Sequence, residues 1–149
     1  EYLGPLPIIV QGCVGIQTDN KNYKNFVLIK FWRDPEVPES SQGELTLESG
    51  HQLLEAIIRC WSPHLATWTT TAWLRAVPKR EAYTPSLGWK TYFSEPAVCE
   101  LISDLGKPLH QGILLETATD IHDVTPEKIA ALAQELADRG VEDTLYRGA

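Results

Sequence analysis

Residues 7–16, "PIIVQGCVGI", are mostly apolar and predict a strand with an irregularity marked by glycine. The polar stretch "TDNKNYKN" follows. "FVLIKFW", residues 26–32, is short and rich in β-formers, so it predicts a second strand, paired with the first as a hairpin. "RDPEVPESSQGE" reads as an acidic loop, because Pro35 and Pro38 forbid a central strand there. Leu53, Leu54, Ile57, Ile58 and Trp61 then recur at the spacing of one helical face, which predicts an amphipathic helix over 47–61 that Ser62-Pro63 ends.

The second half continues with shorter elements. "ATWTTTAWLRAV" is rich in threonine and tryptophan and predicts a strand, and "LGWKTYFS" predicts another. Pro96 suits the first turn of a helix that Ser94 or Glu95 would cap, with Val98, Leu101, Ile102 and Leu105 as its apolar stripe and Gly106 as its stop. "QGILLETA" predicts the next strand. Thr125-Pro126-Glu127 opens the last helix, in which Ile129, Leu132, Ala133 and Leu136 face inward and Gly140 closes the run. "VEDTLYRGA" reads as a tail. The expected architecture is a single α+β domain over residues 1–149, with a largely antiparallel sheet of about five strands and about three helices on one side.

Composition narrows the partners. With 43% hydrophobic and 22% charged residues, the 149-residue chain has the makings of a folded core. Its 13 Lys and Arg against 20 Asp and Glu give a net charge of −7, which argues against nucleic acid as a partner, since phosphates are held by clustered basic residues. The same balance suits a basic protein partner. No apolar run is long enough to span a bilayer, and no membrane partner is expected. Glu1 stands first and the chain has no methionine, so a removed leader stays among the readings. Cys13, Cys60 and Cys99 are far apart and form no CxxC pair, which favours reduced thiols in a cytoplasmic protein over a metal or redox site. One disulfide with one free thiol is the other arrangement three cysteines allow.

Candidate chemistry is sparse. Asp120, His122 and Asp123 in "TDIHDVTPE" are metal-ligating types, but their place before a helix suits caps and turns better. Cys60 and His64 have the spacing of a nucleophile and base, with Pro63 between them and no orienting third group nearby in sequence. Neither "QGCVG" nor "SQGE" has the glycines and lysine of a phosphate loop. No catalytic residue, metal or cofactor is therefore assigned. Of the five tryptophans, three or four are expected in the core and one or two at a surface.

The order of "FWRDP", "LLEAIIRCW", "LGWKTYFS", "GILLETA" and "TPEKIAALAQEL" resembles the immunity protein 52 family of bacterial polymorphic toxin systems, including type VI secretion effector–immunity pairs. Gly88, Trp89 and Tyr92 of "GWKTY" are its most specific part. The resemblance implies a small α+β protein that binds and neutralises a cognate toxin, often a nuclease, without a catalytic residue of its own. In this reading Gly88 lets a strand start close to its neighbour, Trp89 is core, and Tyr92 lies on the opposite face, partly exposed. The expected partner-binding carboxylates are Glu36 and Glu39, with Glu44, in the proline-rich loop; Glu95 and Glu100, with Asp104, on the short helix; and Asp120 and Asp123, with Glu127, near the last helix. The second reading is a small hydrolase or transferase with a Cys or His centre.

Overall fold

The computed structural model describes residues 8–13, 26–31, 47–76 and 85–147. The proline-rich loop with Glu36, Glu39 and Glu44 lies outside these residues. Contacts divide the chain into two compact units, Glu1–Ser49 and Gly50–Ala149. In the first, β1 (Ile8–Cys13) pairs antiparallel with β2 (Phe26–Phe31), with Ile8 opposite Phe31 and Cys13 opposite Phe26. This is the hairpin the sequence pattern predicts.

The second unit is built on a four-stranded antiparallel sheet in the order β3-β4-β6-β5, comprising β3 (Leu65–Trp68), β4 (Lys90–Phe93), β5 (Lys107–Leu109) and β6 (Gly112–Glu116). The helices are α1 (Leu47–Trp61), α2 (Thr71–Ala76), α3 (Pro96–Ile102), α4 (Pro126–Asp138) and α5 (Val141–Arg147), with a 3₁₀ turn at Ile121–Asp123. The architecture is α+β, and no helix among the described residues is long and apolar enough to cross a membrane.

Strand alternation gives this sheet two buried faces. Phe93, Ile113 and Leu115 point to one side, where Val98 and Ile102 of α3, Ile129 and Leu136 of α4, and Val141 of α5 complete the main core. Tyr92 and Leu114 point to the other, against Leu54 and Ile58 of α1. Helices therefore cover both faces, not one, because β4 and β6 are apolar at successive positions. Tyr92 is accordingly buried, not partly exposed: α1 lies over it.

Two glycines permit close backbone approach. A Cβ at Gly88 would run into the Trp68 carbonyl oxygen, and one at Gly112 into that of Phe93. Gly88 thus does let the chain enter β4 tight against its neighbour. The segment before β4 also covers the outer edge of β3, since Thr67 and Thr69 hydroxyls donate to the carbonyls of Ser86 and Leu87, each at 2.8 Å. The other edge strand, β5, carries Lys107 and Pro108, residues that discourage pairing with another chain.

Several elements differ from the sequence reading. The stretch that reads as one strand over 66–77 is β3 followed by α2: Thr70 turns the chain, with its carbonyl accepting from Leu74 N at 3.0 Å and its hydroxyl from Trp73 N at 3.3 Å. The expected tail is α5, which starts directly after Gly140 ends α4 at φ 77° and packs Val141 into the core. Strand β5 falls where the sequence pattern assigns no element. Trp61, expected on the buried face of α1, is 53% exposed.

Candidate functional site

The predicted carboxylates are best located from the two ends of the sheet. Lys90 opposes Glu116, and Phe93 opposes both Leu65 and Ile113. Glu95 therefore leaves the Phe93 end of β4, whereas Asp120 and Asp123 follow Glu116 at the Lys90 end. The structure does not bring these groups together.

Each carboxylate has its own surroundings. Glu95 precedes the first turn of α3 with no side-chain cap bond, and its Oε2 lies 3.6 Å from His64 Nδ1. Glu100 is exposed on α3 and makes no ion pair among the described residues. Asp120 accepts from His122 N at 2.9 Å, the capping role its position suggests, while Asp123 is exposed with no ion pair among the described residues. Glu127 sits in the first turn of α4, where its own N–H and the Thr125 hydroxyl lower its carboxyl from the ordinary value. Asp104 is not a free carboxylate: Arg139 holds it.

The chemical alternatives read differently in three dimensions. Glu95 supplies the acidic neighbour of His64 that the sequence did not reveal. Cys60 is exposed and forms no hydrogen bond among the described residues, so the contact between nucleophile and base that covalent catalysis requires is not made in this arrangement. Among the described residues no group of three or more His, Cys, Asp or Glu side chains is placed to hold a metal ion, and His122 and its neighbours serve the turn.

Sequence reasoning missed a polar network between α1 and the sheet. Lys90, 7% exposed, places Nζ 3.0 Å from Glu116 Oε1, 3.3 Å from His51 Nδ1 and 4.5 Å from the centre of the Trp89 ring. Lys107 donates to the other oxygen of Glu116 at 2.9 Å. Burial pushes the Glu116 carboxyl up, but the hydrogen bonds from Lys107 and Lys90 outweigh it and leave the group below its ordinary value. The Lys90–Glu116 cross-strand register is the signal that joins them, and it is not visible without the sheet order. Each donor and acceptor here has a partner inside the chain, so the network ties α1 to the sheet.

At the other end, α1 reaches the β5–β6 turn. Arg59 Nε donates to His110 Nε2 at 3.0 Å, and His110 adopts φ 51° in a two-residue connection between Leu109 and Gly112. Beyond Arg59, Trp61 stands exposed and Ser62 takes φ 43° as the helix ends, its N–H donating to the Ile58 carbonyl at 3.0 Å. The tryptophans thus divide into Trp89 in the core, Trp68 and Trp73 half-buried against it, and Trp61 at the surface, with Trp32 outside the described residues.

No protein-family model, no curated protein and no solved structure matches this chain.

Proposed function

We propose that this chain is a binding protein that neutralises a cognate secreted bacterial toxin by protein–protein contact, with a basic nuclease domain as the partner and the cytoplasm as the place of action. The observation that carries the reading is electrostatic. In a chain of net charge −7, Glu100 and Asp123 are exposed with no ion pair among the described residues. A nuclease cleft is basic because it accepts phosphates, and an acidic protein surface is attracted to the same cleft. Glu36 and Glu39 belong to the same proposal through their proline-bounded segment. Glu95 and Asp120 contribute less to the pull, because His64 and the turn at His122 already engage them. The family resemblance of "GWKTY" and its companion motifs supplies the toxin class.

The test is protection. The protein encoded by the neighbouring gene is produced in bacteria with and without this chain. Restored growth together with a complex recovered from the same cells is the expected result. Cys60→Ala and His122→Ala chains should protect as well as the parent, whereas a hydrolase centred on Cys60 would lose activity in the first. Toxicity unchanged by the chain, with no complex, would refute the proposal.

A further inference from the structure

The Phe93 end of the sheet gathers features that core packing does not use. The two non-glycine residues with left-handed backbone among the described residues, Ser62 and His110, both lie there. So does Trp61, 53% exposed, although burial of such a ring is strongly favourable. Two residues before it, the Arg59 side chain is 63% exposed and is steadied by His110 at 3.0 Å and by Glu55 at 3.9 Å. Three residues after it, His64 stands beside Glu95 at 3.6 Å, and Ser94 fixes that crossing by donating to the carbonyls of His64 at 3.1 Å and Pro63 at 2.9 Å. Arg59 belongs to the helix on the Tyr92 face, whereas Glu95 opens the helix on the Phe93 face. Along the chain Trp61 therefore falls between Arg59, from one side of the sheet, and His64, whose neighbour Glu95 opens the helix on the other.

A surface that pairs with its own copy about a twofold axis must be self-complementary: each residue meets its counterpart's neighbour, and the reverse contact follows by symmetry. An exposed tryptophan at the same end of the sheet as an exposed guanidinium and a carboxylate meets this condition, with Glu55 beside Arg59 and His64 beside Glu95 within each copy, whereas an all-acidic patch repels itself. We infer that this end of the sheet is a twofold self-association surface, in which Trp61 of the two copies pack together and Arg59 of each copy pairs with Glu95 of the other. Tryptophan and arginine are the side chains that most often dominate such contacts. The patch is small, so the dimer is weak and depends on concentration. Repulsion between two acidic chains acts at long range and is largely screened at physiological salt, while the contacts at the axis are short.

Sedimentation equilibrium of the full chain over a concentration series measures this directly. The parent chain should pass from monomer to dimer as concentration rises. Trp61→Ala should weaken the dimer about tenfold or more. Arg59→Glu and Glu95→Arg should each weaken it, because every cross-copy pair then becomes like-charged. Mixing these two single variants should restore dimerisation. In the mixed dimer the new carboxylate at position 59 of one chain faces the new guanidinium at position 95 of the other, and the unchanged Arg59 faces the unchanged Glu95. This rescue separates a true interface from loss of folding. A monomer at every concentration, a dimer equally strong in all three variants, or a mixture that associates no better than its components would each overturn the inference.

Discussion

Arg139 holds Asp104 with both arms of its guanidinium, Nη1 donating to Oδ1 at 2.6 Å and Nη2 to Oδ2 at 3.0 Å. Nη1 also donates to the Leu101 carbonyl at 2.8 Å, and Nε to Glu135 Oε1 at 2.8 Å. One side chain at the end of α4 thereby satisfies the end of α3. The Arg139 bonds hold the Asp104 carboxyl below its ordinary value, and the Asp104 bonds in turn raise the guanidinium. A carboxyl whose folded value is depressed adds stability above its unfolded value, near about 3.9, and loses it as pH falls through the folded value. Arg139→Ala should therefore lower the melting temperature at neutral pH, and the gap from the parent should narrow in acid. Melting curves across that range, with the Asp104 carboxyl followed by NMR, check both the size and the sign.

Trp89 is 5% exposed, and its Nε1 donates to the Ala118 carbonyl at 2.9 Å. Its removal opens a cavity and leaves that carbonyl without its donor. Trp89→Ala should cost about 3–5 kcal/mol in denaturant unfolding. Trp89→Phe should cost less, because a six-membered ring remains and the cavity is smaller, although the hydrogen bond to Ala118 is lost.

The two ends of the Lys90–Glu116 pair should respond unequally to mutation. Glu116→Ala leaves the ammonium of Lys90, 9% exposed at its side chain, without a carboxylate, and should cost on the order of 3 kcal/mol. Lys90→Met removes the buried charge itself, and Glu116, 26% exposed at its side chain, keeps Lys107 at 2.9 Å. That change should be the milder one. Equal losses in the two variants, measured by unfolding in urea, would contradict the ordering.

Elements marked by strong local signals were legible in the sequence. Helix α1 spans the residues its periodicity predicts, and Thr125 caps α4 with its hydroxyl accepting from Lys128 N at 3.3 Å. The hairpin β1–β2, α3 behind Pro96 and the placement of Trp89 belong with these. Short elements were not legible. The seven residues of α5 offer too few turns to show a period, and the strand-like composition of Trp68 to Trp73 concealed the cap at Thr70. Sequence spacing also assigned Trp61 to the buried stripe of α1, since periodicity alone cannot show how much of a helical stripe is covered. The same blindness to long-range register hid that Glu95 and Asp120 follow opposite ends of the sheet, and left His64 without its neighbour Glu95.

Association kinetics test the central claim most directly. The chain is mixed with the purified, catalytically inactivated protein encoded by the neighbouring gene, at low and at high salt. Binding should be fast at low salt and slower at high salt, where charge attraction is screened. Glu100→Lys combined with Asp123→Lys should slow association, chiefly at low salt, while the melting temperature stays near that of the parent. An absence of binding, or association rates that ignore both salt and these two reversals, would contradict an acidic surface that neutralises a basic toxin.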